Sequence, residues 1–323
     1  MNVKRLICGL IALALLLLPV AGCSSSGARP AVQLVPPAAN FVAVVQIANL
    51  LNDKELMDLN KKDNPEEDDG DASPQQRLEE FTEETGIDLK TISELVVFGD
   101  ISDFQNPGPG YMGCIARGSY DPELIIQNLE NEAGKDLNTT VYGEFTLYSS
   151  GKDRYALTFI DDDLMVFGAP KAVADTLDVL ADVQEPLSGP VVDTCNRLGD
   201  VYLKAAVDVK AANRTMMDQD AFDDIPVNMS MFTQVDLIGF VFDKEKKDIK
   251  IKAEMHYLDS KSLQDGEDAF RGIIGLLKGF AINAEFKNFL EKIQVAGANS
   301  WLTISLTTTV DELRNASEAM KNQ

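Results

Sequence analysis

The side chain best suited to acid–base chemistry near neutral pH is the single histidine of the chain, His256. Apolar and charged residues alternate between Ile249 and Tyr257, which predicts a half-buried strand with His256 on its polar face. A Ser-His-Asp triad could use only this imidazole. The chain contains no Gly-x-Ser-x-Gly elbow, no His-Glu-x-x-His and no Cys-x-x-Cys motif. We therefore predict a solvated histidine and no catalytic, metal-binding or cofactor-binding residue.

The 52 Asp and Glu side chains leave carboxylate chemistry open, because two acids at the right separation suffice for glycoside hydrolysis. The most acidic segment (residues 61–74) superficially resembles a calcium loop. Placing Gly70 at the sixth position of such a loop puts Pro65 first and Gln76 twelfth, where calcium needs carboxylate ligands. The segment is therefore interpreted as a solvated acidic loop.

The single tryptophan, Trp301, is predicted to share one strand face with Thr303, Ser305 and Thr307. On such a face the indole could stack on a sugar or on a partner's side chain. We favour the interpretation that the indole packs beneath a helix or at a sheet edge, with stacking on a ligand as the alternative.

A helix predicted from Asp268 to Ala281 carries three glycines, Gly272, Gly275 and Gly279. Each glycine lowers helix stability by about 1 kcal/mol relative to alanine. Three of them in one helix predict that its backbone closely approaches a sheet or another helix.

The first 23 residues follow the order of a secretory signal, with Lys4 and Arg5, an apolar run from Leu6 to Val20, and small residues before Cys23. This order resembles a bacterial lipoprotein signal with its lipobox. The resemblance implies cleavage before Cys23 and a lipid such as palmitate on its sulfur. It also implies an anchored protein at the cell membrane or outer membrane that faces the periplasm or the cell exterior. The apolar run of about 15 residues is short of the roughly 20 that span a bilayer.

The net charge of −23 argues against nucleic acid as a partner, because phosphate binding depends on Lys and Arg. Hydrophobic residues make up 45% of the chain and charged residues 25%, which is typical of a globular protein. Beyond Cys23, the cysteines left in the mature chain are Cys114 and Cys195, and the sequence does not decide whether they pair.

The order of strand-like and helix-like segments predicts an α+β protein of two related units, each with a mixed or antiparallel sheet and helices packed on one face. The predicted organisation is a signal peptide (1–22), a lipidated cysteine with a flexible tether (23–37), unit one (38–199) and unit two (200–323). Unit one also resembles secreted bacterial proteins of unknown function. The segments that carry this resemblance are Asp121-Pro122-Glu123, Asp161-Asp162-Asp163 and Gly168-Ala169-Pro170. It carries no catalytic residues.

These observations favour a lipid-anchored extracytoplasmic protein without catalytic activity that binds a ligand or supports an envelope structure. Its expected partners are the membrane, through the anchor, and a protein or small molecule that the sequence does not identify. Two other classes stay open. One is a carboxylate-dependent hydrolase of envelope polymers, and the other is a solute-binding lipoprotein.

Overall fold

A computed structural model describes residues 29–58, 74–102, 110–149, 154–210, 234–281 and 283–321. Cys23 and all but the last residue of the acidic segment 61–74 lie outside the described residues. The described chain forms two compact units, with unit one ending at Ser188 and unit two beginning at Gly189. The boundary predicted from the sequence lies between residues 199 and 200, so residues 189–199 belong to unit two instead of unit one.

Unit one contains two short 3-10 helices (Ala31–Leu34 and Leu89–Thr91), five α-helices and seven strands among its described residues. In chain order these are β1 (Phe41–Val45), α1 (Ile47–Asn52), α2 (Lys54–Met57), α3 (Pro74–Thr85), β2 (Ile92–Gly99), β3 (Met112–Gly118), α4 (Pro122–Ala133), β4 (Asn138–Tyr142), β5 (Phe145–Ser149), β6 (Ala156–Phe159), β7 (Leu164–Gly168) and α5 (Pro170–Leu180). The strands pair antiparallel in the order β1-β2-β3-β7-β6-β5-β4.

Unit two contains four helices and five strands among its described residues. In chain order these are α6 (Pro190–Arg197), β8 (Leu203–Asp208), β9 (Val235–Glu245), β10 (Asp248–Tyr257), α7 (Ser260–Phe280), α8 (Ala284–Glu291), β11 (Gln294–Ala298), β12 (Trp301–Thr309) and α9 (Val310–Lys321). The strands pair antiparallel in the order β8-β9-β10-β12-β11.

The two units share one topology. In each, three consecutive strands form a meander, a helix follows the third strand, and a later hairpin returns so that its last strand pairs with that third strand. A helix follows this last strand in both units. Unit one differs by the added hairpin β4–β5. The predicted α+β class with related units is therefore confirmed, and the strand pairs given above for the described residues of each unit are antiparallel.

Helices cover both faces of the unit-two sheet rather than one. A methyl group built on Gly239 of β9 would lie 3.1 Å from Thr194 of α6, so α6 packs on that face. Helix α7 packs on the opposite face, where Leu263, Phe270 and Ile274 contact the core residues of β10 and β12. The alternation of side chains along each strand supplies an apolar surface for α7 and a more polar one for α6.

The folded part of unit one begins earlier than predicted. Residues up to 37 were expected to form a tether, but Ala31, Leu34 and Val35 are buried. Arg29 is also held, because its guanidinium donates to the carbonyl of Val179 at 3.2 Å. The largely apolar run from Ala31 to Val35 is short and lies between Pro30 and Pro36, so the sequence alone does not reveal its burial.

Candidate functional site

The two residues singled out as chemically distinctive, His256 and Trp301, are direct neighbours across the pair β10–β12. Their ring centroids lie 5.0 Å apart with the planes tilted by 57°. The hairpin β11–β12 turns at Asn299 and Ser300, both with positive φ, and thereby places Trp301 at the start of its strand. Both residues lie on the face of the sheet that α6 covers in part, as the alternation predicts.

His256 is held by an aspartate that the alternation did not predict to be near it. The Nδ1 atom of His256 lies 2.6 Å from Oδ1 of Asp236. The register of β9 and β10 shifts at this point, so that His256 pairs with Leu237 while Tyr257 pairs with Val235. Asp236 is the extra residue of this bulge, and a bulge redirects a side chain that strict alternation would place on the other face.

The carboxylate of Asp236 also receives an ion pair from Lys210, with Nζ 3.3 Å from Oδ2. Burial opposes the charge of this carboxylate, but the hydrogen bonds from His256 and Lys210 outweigh burial and hold the pKa of Asp236 below its usual value. Asp236 is therefore ionised at neutral pH, with both oxygens engaged.

A second carboxylate, that of Glu254, lies two residues before His256 on the same strand face. One of its oxygens accepts from Nη1 of Arg197 at 2.6 Å, and the other lies 3.0 Å from Nζ of Lys252. The guanidinium of Arg197, at the end of α6, lies 4.0 Å from the centroid of the Trp301 ring. Trp301 is thus packed between a cation and an imidazole beneath a helix end.

We call this group of seven residues the Trp301 cluster. Its members are Arg197, Lys210, Asp236, Lys252, Glu254, His256 and Trp301. The sequence indicated the strand face of His256 and Trp301 but not their neighbours, because the bulge and α6 supply Asp236 and Arg197 from distant segments. Within the described part of the chain, no group of three or more His, Cys, Asp or Glu residues is arranged to hold a metal ion.

Replacing Asp236 by asparagine should lower the free energy of unfolding by about 1–3 kcal/mol at pH 7, because His256 and Lys210 lose an ionised partner. The folded-state pKa of Asp236 lies below the value of 3.8 for an unperturbed aspartate. This contribution is therefore fully present above about pH 4 and is lost as the pH falls through the lowered pKa. Urea unfolding of both proteins between pH 7 and pH 3 measures the difference. A difference that stays constant over this range would contradict the assignment, and Asp265→Asn, which removes an exposed ion pair with Lys261, should change little.

The second half of α7 is a different kind of surface. Ile273, Leu276, Leu277 and Phe280 follow the spacing i, i+3, i+4 and i+7 and form one side of the helix. We call them the α7 apolar stripe. Leu276 is 61% exposed and Phe280 is 75% exposed. No helix in the described part of the chain is both long and apolar enough to span a bilayer.

The prediction of close backbone approach at Gly272, Gly275 and Gly279 is wrong. A methyl group built on any of the three would have no heavy atom within 4 Å. The close approach occurs instead nearly two turns nearer the start of the helix, at Gly266, where such a methyl group would lie 2.3 Å from Oη of Tyr257. One side of α7 contacts the sheet as far as Ile274, whereas the side that carries the α7 apolar stripe is uncovered towards the end of the helix.

Unit one encloses a small apolar cavity of about 40 Å³. It lies between the sheet and the helices α3 and α4, and only apolar area is exposed to it. A space of this size and polarity is suited to neither a sugar nor an ion. Cys114 lines the cavity, and burial raises the pKa of its thiol to about 12.

The question of a disulfide between Cys114 and Cys195 is answered by the structure, because both are thiols. Cys195 lies on α6 and is fully buried. Neither residue belongs to the Trp301 cluster.

The fold and these sites define an antiparallel α+β protein built from two topologically equivalent units. No family model matches the chain, and no curated protein matches it. Among solved structures, it is similar to crystal form III of TP0453, with a TM-score of 0.51 and 10% sequence identity over 91% of this chain and 100% of that chain. Crystal form I of TP0453 gives a TM-score of 0.48 at 9% identity, over 91% of this chain and 98% of that one. At this identity the similarity concerns the fold alone.

Proposed function

We propose that this protein is a lipid-anchored extracytoplasmic binding protein, without catalytic activity, that works at a membrane surface. The lipobox-like sequence ending in Cys23 supports the anchor, since a lipidated cysteine needs no membrane-spanning helix. The observation that carries the membrane contact is the exposed α7 apolar stripe.

The stripe is suited to lying in a lipid interface rather than to crossing it. The first half of α7 is fixed on the sheet: Arg271 donates to the carbonyl of Val295 at 2.6 Å, and Glu267 accepts from the amide of Gly297 at 3.1 Å. These contacts fix the helix on the sheet, so the large apolar side chains on its uncovered side are exposed in a fixed position. An amphipathic helix of this kind buries one face at the boundary between head groups and acyl chains.

The local charge favours an anionic lipid surface, although the whole chain is acidic. From Ala269 to Ala284 the sequence contains Arg271 and Lys278 and no carboxylate. Arg271 is paired with Glu267, so Lys278 is the cation that this segment offers to a lipid surface. A cation near such a surface contributes about 1 kcal/mol to binding. Burial of an exposed Leu or Phe side chain contributes a further 1.5–3 kcal/mol or so.

Vesicle co-sedimentation of the unlipidated chain that begins at Ser24 tests this proposal. Vesicles that contain phosphatidylglycerol should bind the protein, and pure phosphatidylcholine should bind it more weakly. Leu276→Gln together with Phe280→Gln should weaken binding about 100-fold, because each substitution should lower the partition coefficient between vesicle and water roughly tenfold.

The matched control is Leu258→Gln, which removes a leucine that is exposed but lies outside α7. It should bind like the unchanged protein. Equal binding by the double variant would contradict the proposal. Loss of a dimer rather than of vesicle binding, seen by analytical ultracentrifugation, would instead assign the stripe to contact between two copies.

A further inference from the structure

We propose that the Trp301 cluster binds a small anionic molecule through a phosphate or carboxylate group. The inference is independent of the membrane contact, because the cluster lies on the face of the unit-two sheet opposite α7. It rests on the burial of the charges, on the way Arg197 is held and on the hydroxyl groups beside it.

The carboxylates of the cluster are buried, whereas its cationic side chains are more exposed. The side chains of Asp236 and Glu254 are each 8% exposed, whereas those of Arg197 and Lys210 are 43% and 59% exposed. All four carboxylate oxygens of the two acids already have a cationic or imidazole partner. The surface that meets solvent is therefore cationic.

This cationic surface stands out from a chain of net charge −23. Three permanent cations face two carboxylates within the cluster, and protonation of His256 would add another positive charge. The next acid along the same row of the sheet, Asp208, is two strands from His256 and accepts from the backbone amide of Lys210. An anion at Trp301 thus meets donors with remaining hydrogen-bonding capacity, while the two carboxylates of the cluster are already paired.

Arg197 is held in a fixed orientation for a further contact. Its Nη1 donates to Glu254 while the guanidinium lies over the Trp301 ring. A guanidinium has five N–H donors, and its fork matches the oxygens of phosphate and carboxylate groups. Because the indole and Glu254 already restrict this side chain, less rotamer entropy is lost when a ligand binds.

Hydroxyl side chains flank the cations on β12. Thr303 pairs with Glu254 and Ser305 pairs with Lys252, so both lie on the face that carries the cluster. Both are partly exposed. Hydroxyl groups in this position can donate to an anion or to the polar groups of a small molecule that carries it.

The sole tryptophan of the chain lies inside the cluster, so tryptophan emission, excited at a wavelength that tyrosine does not absorb, reports on this site. The purified mature chain is titrated at constant ionic strength with inorganic phosphate, with acetate and with glucose. We expect a saturable change in emission with phosphate or acetate and none with glucose. The anion with the higher affinity identifies whether the site prefers a phosphate or a carboxylate group.

Lys252→Gln should weaken anion binding at least fivefold, because it removes a cation of the cluster without touching the indole. Lys250→Gln is the matched control, since it removes the same charge two residues earlier, from a lysine paired with exposed Glu245. It should change the affinity less than twofold. The proposal is overturned if neither anion saturates, if glucose does, or if the two lysine variants weaken binding equally.

Discussion

Gly266→Ala should destabilise unit two by about 1–3 kcal/mol, the range expected when a methyl group is forced into a packed core. The added carbon would lie 2.3 Å from Oη and 2.7 Å from Cζ of Tyr257. Tyr257 is fully buried and packs in a core with Met255 and Leu302, so its ring has no space into which to move. Thermal unfolding followed by circular dichroism measures the loss.

The matched control is Gly275→Ala in the same helix. A methyl group there meets nothing within 4 Å, so the higher helix propensity of alanine should stabilise the protein by about 0.5–1 kcal/mol. Two changes of identical chemistry are thus expected to act in opposite directions. Equal melting temperatures of Gly266→Ala and the unchanged protein would show that Tyr257 does not limit the approach of α7.

A second substitution tests the same contact from the other side. The hydroxyl of Tyr257 is buried and has no hydrogen-bond partner among the described residues. Tyr257→Phe alone should therefore be nearly neutral. In the double variant, Tyr257→Phe should restore part of the stability lost in Gly266→Ala, because it removes Oη, the atom nearest to the added methyl group. Additive effects of the two changes would argue against a direct clash.

Cys23→Ala should abolish membrane attachment through the anchor. Without the thiol there is no site for the lipid that the signal sequence implies, so the precursor should stay unprocessed. Incorporation of labelled palmitate, together with the mass of the N-terminal peptide, measures the outcome in a bacterial host. Ser24→Ala is the control and should be lipidated normally. Palmitate labelling of Cys23→Ala at the normal level would refute the anchor.

Local sequence signals predicted the ends of several helices correctly. Asp121 followed by Pro122 predicts a helix start, and Gly134 predicts the end of that helix. In the structure the side chain of Asp121 accepts from the amides of Glu123 and Leu124. Gly134 is left-handed, as predicted for a helix end. Thr309 and Glu312 likewise form the reciprocal capping pair that their spacing indicated. The residues of each capping signal lie within four positions of one another, so the sequence of one short segment is sufficient to predict the helix end.

Features that depend on distant segments were missed. Strand β11 was not predicted, because Gln294-Val295-Ala296-Gly297-Ala298 has small side chains and no clear alternation, and pairing with β12 is what makes it a strand. One local feature was also missed. Helix α7 begins at Ser260, eight residues before its predicted start, although its N-cap is local: Asp259 accepts from the amide of Ser262.

Some residues of the Trp301 cluster could be predicted from local sequence, and others depend on distant segments. Alternation along β10 and β12 correctly placed His256 and Trp301 on the polar faces of their strands. It could not supply Arg197, which is more than a hundred positions from Trp301 in the sequence, nor Asp236, which reaches His256 through an irregular register. A strand pairing and a helix position were needed before these residues could be recognised as neighbours.

The two thiols have a practical consequence for handling this protein. A thiol with a pKa of about 12, as for Cys114, is deprotonated in only about 1 molecule in 10⁵ at neutral pH. Oxidants and alkylating reagents act on the deprotonated form, so this sulfur is inert while the fold is intact, and the burial of Cys195 shields the other. While the protein stays folded, maleimide dyes should therefore label an engineered surface cysteine selectively in the chain that begins at Ser24, which lacks Cys8 and Cys23.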